Sequence, residues 1–576
     1  MIANMPPALI MVLGALLIPL VRNKTLRAGY MLLLPVLGFV QTMGLEVGTL
    51  VEMTVFSYQL KILHVDKISI VFSYIFHIAA FITIIYSLHA DDNVQYVSGL
   101  IYAGSAIGAV FAGDLITLFI YWELTAVSSV FLIWARRSQR AYSAGMRYLV
   151  VQVLSGLLLL AGTIMYYRQT GNLDFMKLGQ FTALGLKNPA AMLIFLAFGI
   201  KAAFPFLHNW LEDAYPEATE VGTVFLSSFT TKLAIYALAR GFLGTPSLIW
   251  IGATMTAFPI FYAVIENDLR RVLAYSLNNQ LGYMVVGIGI GTELALNGTV
   301  AHAFTHILYK SLLFMSMGAV LYRTGTCNGS DLGGLYKSMP YTTIFCCIGA
   351  ASISAFPLFS GFVSKSMILS AAAGGHFTIV WLVLLFASAG VFHHSGIKIP
   401  FFAFFAHDSG IRCKEAPTNM LIAMGIASAL CILIGVFPGP LYELLPYKVT
   451  AFEPYTTSHV ITQLQLLMFS ALAFVFLQKT GVYPPELRSV VLDTDWTYRK
   501  LLPNTISFVR KIGGTAWQGL LGFGFSIIQG FLIVVRRNFG TTGVFARTMP
   551  TGHIVLWAAL FLCGYIFLYY LWTGVL

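Results

Sequence analysis

The stretch NGTVAHAFTHILYKSLLFMSMGAVL (297–321) decides how the rest of the chain is read. Its apolar residues run on continuously instead of alternating, and the run is longer than the ~20 residues a helix needs to cross the hydrocarbon core of a bilayer. Continuity points to a helix and not to a barrel strand. Within this run lie His302, His306 and Lys310. Residues four apart on a helix drift by only about 40° per step, so the three form a stripe of titratable groups climbing one face.

Working outward, the same pattern recurs. Apolar runs occupy 6–21, 29–45, 67–88, 97–112, 115–135, 144–167, 189–208, 219–240, 247–265, 272–291, 295–322, 341–372, 377–406, 418–437, 460–478 and 553–573, roughly sixteen spans. The 576 residues are 58% hydrophobic and 10% charged, against about 25% charged in a soluble protein. Mean hydropathy is +0.80. The expected fold is therefore an all-α polytopic membrane protein. The first run has neither a basic leader nor a small-residue cleavage site and reads as a retained span. The net charge of +11 sits mostly in short loops, with no basic patch interleaved with exposed aromatics, so nucleic acid is not an expected partner. The six cysteines include no CxxC and supply neither a disulfide framework nor a metal or cluster ligand set.

Loop charges give an orientation. One set of alternate loops holds Arg22, Lys24, Arg27, Arg136, Arg137, Arg140, Arg270, Arg271, Arg323, Lys337, Arg412, Lys414, Lys479, Arg488, Arg499 and Lys500; the other holds Lys61, Lys67, Arg168, Lys177, Lys187, Arg240 and Lys448. The richer set is expected on the cytoplasmic side, which puts the N-terminus outside.

Five spans carry charge where it is costly: Glu123, Lys201, Lys232, Lys310 and Lys365. Each costs about 2.5–3.5 kcal/mol at mid-bilayer on insertion scales. Such groups must face the bundle interior, water or one another. A structural ion pair or a snorkelling side chain explains any one of them, but one mid-span carboxylate cannot neutralise three central lysines. A lysine with few partners in low dielectric can bind and release a proton near neutral pH, and a histidine suits relay work. The competing metal reading of His302 and His306 lacks an HExxH motif and a third ligand. Asp114, Asp213 and Glu220 lie near membrane mouths, where they read as solvated ends first and as aids to sodium access second.

Two of the lysines lie near prolines. Pro205 follows Lys201 in AAFPFL (202–207), and Pro357 precedes Lys365 in SAFPLF (354–359). Proline frees a backbone carbonyl and breaks a helix, which a membrane tolerates where the backbone lines a polar cavity. By loop parity the two spans run in opposite directions, the pattern of inverted repeats. No P-loop or nucleophile elbow is present, and GIGIGTE (287–293) closes a membrane span and so reads as helix packing. No covalent chemistry, cofactor or metal is expected in this chain.

The segments YWELTAVSS (121–129), FGIKAAFPFLHNWLEDAYPEA (198–218), NDLRRVLAYSLNNQLGYM (267–284), AHAFTHILYKSLLF (301–314) and PLFSGFVSKSMIL (357–369), together with the helix carrying Lys232, make the chain resemble the antiporter-like proton-translocating subunits of respiratory complex I, membrane-bound hydrogenases and multisubunit Mrp cation/proton antiporters. GIKIPFFAFF (396–405) adds a likeness to the D-type Mrp subunit. The resemblance implies about fourteen core helices with two inverted five-helix repeats and broken helices. It divides the chain into N-terminal helices (1–95), a first repeat (96–240), a second repeat (241–406), C-terminal core helices (407–480) and an extension (481–576). It also implies a glutamate–lysine pair matched by Glu123 and Lys201, a connecting lysine at Lys232, a central relay at His302, His306 and Lys310, and a distal lysine at Lys365. Glu212-Asp213-Ala214-Tyr215 and Glu220 depart from the common pattern. The implied activity is proton movement, or proton/sodium exchange, within a multisubunit complex in the cell inner membrane. Its partners would be small membrane subunits and further antiporter-like subunits. The alternatives are a proton-pumping subunit of a redox complex and the membrane half of an inorganic-carbon uptake pair. In the extension, the apolar face of 504–537 and its basic ends predict a lateral helix along the cytoplasmic interface, with a seventeenth span as the rival.

Overall fold

The computed structural model describes residues 5–175, 187–449, 452–483, 486–488, 491, 493–547 and 549–574; Lys177 lies outside them. Thirteen helices among these residues are long and apolar enough to cross a membrane. In chain order the helices are α1 (Pro7–Leu17), α2 (Lys24–Met43), α3 (Lys67–Ser87), α4 (Asn93–Phe111), α5 (Leu115–Trp134), α6 (Gln139–Thr170), α7 (Pro189–Lys201), α8 (Asn209–Ala214), α9 (Glu220–Ser228), α10 (Thr230–Gly241), α11 (Pro246–Ile265), α12 (Leu269–Ile290), α13 (Glu293–Thr324), α14 (Pro340–Ile353), α15 (Ser360–Gly374), α16 (Thr378–Val391), α17 (Thr418–Val436), α18 (Gly439–Leu444), α19 (Thr457–Lys479), α20 (Leu502–Phe539) and α21 (Thr551–Thr573). Each of the sixteen apolar runs coincides with one of these helices or with a pair joined across a break.

Side-chain caps set many of the helix starts. Asp66, Asp92, Asp114, Ser138, Asn188, Thr219, Asp268, Thr292 and Thr456 each accept from a backbone N–H in the first turn of the helix that follows, satisfying donors that a bilayer could not. The sequence pattern predicts no strands, yet Leu50–Val55 (β1) and Tyr58–His64 (β2) form an antiparallel hairpin. Lys61 ties it down: its N–H donates to Asp114 Oδ2 at 2.7 Å and its ammonium pairs with Asp174 at 2.7 Å.

Five consecutive segments, from α5 to α11, are followed by a second series whose first three members match theirs in construction. Asp114 caps α5 and Asp268 caps α12, and both lie in isolated backbone bridges, to Asp174 and Asn328. Next, α6 and α13 are each 32 residues long. Then α7–α8 and α14–α15 are each broken around a proline, with left-handed backbone at Ala203 and Phe206 in the first break and at Ala355 and Leu358 in the second. Such conformations cost on the order of 1–3 kcal/mol each in non-glycine residues, and here they recur at the same offsets from Pro205 and Pro357. Because five crossings is an odd number, the second set enters the membrane from the opposite side.

Burial places the core. Every residue of α13 from Ala295 to Val320 is buried, whereas α19 buries only Gln463, Leu467 and Phe474. The chain divides into two compact units, residues 1–493 and 494–576. In the second, α20 and α21 bury no described side chain. By length and composition both qualify as membrane helices.

A buried chain of ionisable groups as the candidate functional site

Lys201, Lys232, His302, His306, Lys310 and Lys365 are all buried, none more than 1% exposed; Glu123 is half-buried. Lys201 closes α7 just before the break. Its ammonium donates to Trp122 O at 2.6 Å and Thr125 Oγ1 at 2.9 Å on α5 and lies 4.4 Å from the centre of the Trp122 ring. Glu123, the next residue on α5, is within electrostatic reach of Lys201, but the two make no contact ion pair, and Glu123 Oε1 has no hydrogen-bond partner among the described residues. The carboxylate rests on Gly156 of α6, where an added Cβ would fall 1.4 Å from Oε1. Ser155 joins the three helices, accepting from Trp122 Nε1 at 3.0 Å and donating to Ala197 O at 2.7 Å.

Lys232 follows the bend between α9 and α10 and donates to Ser227 O. On α13, His302 Nδ1 meets Ser364 Oγ at 3.0 Å and its Nε2 lies 3.4 Å from the Tyr309 hydroxyl. The rings of His302 and His306 are 6.1 Å apart, and those of His306 and Tyr309 5.3 Å. Neither His306 nitrogen nor Lys310 Nζ has a hydrogen-bond partner among the described residues. Lys232, Lys310 and Lys365 are all within electrostatic reach of His306. Lys365, on α15, donates to Ile353 O at 2.8 Å and faces the Tyr283 ring at 5.2 Å. The structure therefore places Glu123 with Lys201 beside the first break, and His302, His306, Lys310 and Lys365 together at the second.

Several charged residues near the mouths have structural partners. Asp114, read from sequence first as a solvated end, is 1% exposed and caps α5; its position between hairpin and helix explains the difference. Asp213 takes a two-point contact from Arg147 at 2.7 and 3.0 Å, and Glu220 pairs with His89 at 3.5 Å. Glu212 is buried, and its carboxylate oxygens have no partner among the described residues.

Sequence reasoning missed a second group. After α16 the helix widens into π-helical turns over Phe392–Lys398 and Phe401–Phe405, a distortion common at functional sites. Lys398, buried there, donates to Val264 O and Glu266 O, both at 2.6 Å, which caps the end of α11, and pairs with Glu486 at 2.9 Å. His394 is within electrostatic reach of Lys310, Lys365 and Lys398. Asp493 meets His208 Nε2 at 3.1 Å and accepts from the Tyr275 hydroxyl at 3.0 Å. The run HHSGIKIP (393–400) held the signal: two histidines and a lysine inside an apolar span, followed by a proline. Glu486 and Asp493 gave none, because they lie in a polar linker.

Among the described residues no group of three or more His, Cys, Asp or Glu side chains is arranged to hold a metal ion. What the site offers is a set of buried titratable groups, with hydroxyls at His302 and aromatic rings beside Lys201, His306 and Lys365.

Comparison with known proteins places this arrangement. The family described as NADH:quinone oxidoreductase/Mrp antiporter, TM, matches residues 112–392, a range that contains all seven candidate residues. The D-type component of the Na(+)/H(+) antiporter of Alkalihalophilus pseudofirmus is 30% identical over 356 residues, 58% of this chain and 71% of that protein. The A-type component from the same organism is 31% identical over 437 residues, 68% of this chain and 53% of that protein. Hydrogenase-4 component B of Escherichia coli is 28% identical, covering 58% and 55%. The chain thus spans about half the length of these last two relatives. Among solved structures, a chain of the Mrp complex from Dietzia sp. superposes with a TM-score of 0.68 at 20% identity, over 82% of this chain and 98% of that one. A chain of the membrane-bound sulfane sulfur reductase, an archaeal respiratory membrane complex, superposes with a TM-score of 0.71 at 21% identity, over 97% and 99%.

Proposed function

The chain belongs to the NADH:quinone oxidoreductase/Mrp antiporter transmembrane family, and on that premise we propose that it moves protons across the cell inner membrane as one member of a multisubunit Mrp-type cation/proton antiporter. The observation that carries this reading is the file of buried ionisable groups from Glu123 and Lys201, past Lys232, to His302, His306, Lys310 and Lys365. Six fully buried titratable side chains without a matching set of carboxylates are a heavy load for a fold to keep for structure alone.

In this reading Lys201 takes a proton, with the Glu123 charge adjusting how tightly it is held. Lys232, His302, His306 and Lys310 relay it through a hydrated path, and Lys365 exchanges it on the far side. Tyr309, Ser364 and Thr305 bridge the steps. The relay shifts charge between fixed sites and requires no rocking of whole repeats. The names of the A-type and D-type relatives support sodium as the exchanged ion. Loop charges support an N-terminus outside.

The test is proton translocation in membrane vesicles holding the assembled complex. Lys310→Ala and Lys201→Ala are expected to reduce it to background with the complex intact; wild-type exchange in either variant would overturn the reading. Acidification driven by added sodium is expected for an antiporter.

A second reading, a proton-pumping component of a respiratory redox complex, is favoured by one observation: the superposition on the sulfane sulfur reductase chain covers 97% of this chain, so it runs past residue 493 into the C-terminal unit. Proton movement that follows a redox substrate and ignores sodium would select it. In either reading α20, 38 residues long and so about 57 Å at 1.5 Å per residue, is proposed to lie along the cytoplasmic interface against a neighbouring protein of the complex. Labelling of Thr542→Cys from outside would reject that placement.

A further inference from the structure

Lys365 ends the file of groups in the proposed path, and two cavities continue from it. The first, about 210 Å³, is lined by Lys365, Ser366, Ser370, His459, Thr462 and Gln463 together with apolar residues. It has room for several water molecules at about 30 Å³ each. The second, about 560 Å³, is lined by Glu293, Asn297, Lys448 and Glu453, and again by Ser370 and His459. Ser370 and His459 are the described residues common to both, and they touch: Ser370 Oγ lies 3.2 Å from His459 Nε2. They stand between the cavity around the lysine, whose rim also includes the exposed Ala373 and Ser458, and an outer vestibule with two carboxylates.

The local sequence builds this contact. Ser366 and Ser370 are four apart on α15, and His459 and Gln463 are four apart on α19, so each helix turns one polar face to the other. Gln463 anchors the pair of helices by donating to Ser354 O at the second break, at 2.9 Å. The imidazole is held on both edges. Nδ1 faces Glu453 O and Pro454 O, each at 3.2 Å, and donates to them in the neutral ring. That leaves Nε2 as an acceptor from Ser370; once protonated, Nε2 donates to the same hydroxyl. The ring keeps its contacts in both protonation states, which suits a group that is loaded and unloaded in place. The charged groups around it are Lys365 on α15, Lys448 and Glu453 in the segment before α19, and Glu293 at the start of α13.

We propose that the Ser370–His459 pair is the gate between Lys365 and the vestibule, and that His459 carries the proton across it. The proton leaves Lys365 Nζ, passes along cavity water to His459 Nε2, and is released to vestibule water beside Glu453 and Glu293 when the Ser370 contact opens. The ring returns to its neutral form, and the net change is the transfer of one proton. This inference rests on the reading of Lys365 as a proton carrier.

Two measurements on the assembled complex test it. His459→Gln keeps the contact with Ser370 but cannot titrate, and it is expected to lower proton translocation by at least about 100-fold, the low side of what a positioned proton carrier contributes. Translocation at the wild-type rate in that variant, with Lys365→Ala inactive, overturns the gate and leaves the relay standing. If Lys365→Ala is also fully active, the relay reading falls and takes the gate with it. The second measurement does not depend on transport. With Cys347, Cys413 and Cys563 replaced by serine, Ser366→Cys in the cavity around Lys365 is labelled from the vestibule side by a membrane-impermeant maleimide. Labelling is expected to speed up several-fold when His459→Ala is added and to slow when His459→Trp is added. A labelling rate indifferent to residue 459 overturns the gate even if translocation is impaired.

Discussion

The two 32-residue helices occupy the same place in the two repeats and do opposite things. Counted from their first residues, the positions of His302, His306 and Lys310 on α13 are those of Tyr148, Gln152 and Gly156 on α6. The second repeat carries its titratable stripe on the long helix itself. The first repeat places no charged residue at these three positions and reduces the last of them to a hydrogen atom, and into the space comes Glu123 from α5. The breaks differ in the same sense. In the first, the carbonyl of Ile200 takes the neutral indole of Trp210 at 2.9 Å, and Lys201 is free to reach across to α5. In the second, the carbonyl of Ile353 is taken by Lys365 itself. One backbone plan, strained at matching residues, thus holds a lysine tied to its neighbour in one copy and to its own break in the other. What the repeats share is the geometry of the breaks; the charge is distributed afresh.

The largest effect that bears on this comparison is expected from Lys310→Ala, which makes α13 resemble α6. Translocation in vesicles should fall by ~100-fold or more, to background, while Glu123 and Lys201 remain in place; activity near wild type would mean that the two helices are interchangeable after all. Next comes Gly156→Ala. The added methyl has to displace the Glu123 carboxylate, and a loss of about tenfold in translocation, equivalent to about 1.4 kcal/mol, is expected with assembly unchanged. Glu123→Gln should be equal or milder, and Gly156→Ala should add little on top of it, since both act through one carboxylate. Trp210→Phe leaves the Ile200 carbonyl without its indole donor but with the Ala203 N–H at 3.1 Å, at the cost of roughly 0.5–1.5 kcal/mol. It is read as a lower Tm of the purified complex, with a smaller effect on transport because Lys201 keeps its partners. Thr125→Val is the mildest. Lys201 loses one of two hydrogen bonds, and a change of a few-fold in rate, on the order of 0.5–1.5 kcal/mol, should be seen without a change in Tm.

Much of this was legible in the residues. Each span was visible because a membrane helix must be apolar along its whole length, and the mid-span charges stood out against that background. The kinship of the two breaks was visible in AAFPFL and SAFPLF. Other features left no local trace. The hairpin at Leu50–His64 is short, and its apolar residues read as a loop between spans; it is fixed by Asp114 and Asp174, far along the chain. The absence of a contact ion pair between Glu123 and Lys201 depends on which way Trp122 and Thr125 present their oxygens, which composition does not encode. Lys398 was in view as part of a recognisable string, but the widened turns before Pro400 that point it at the end of α11 appear only in three dimensions.

The linker that closes the first unit has a mechanical consequence. Glu486 grips Lys398, which belongs to the second repeat, and Asp493 grips His208, which belongs to the first. A strand of chain pinned at two such points behaves as a tendon. The linker is therefore tied to both halves of the bundle through two carboxylates, one beside the widened turns of the second half and the other beside the break of the first.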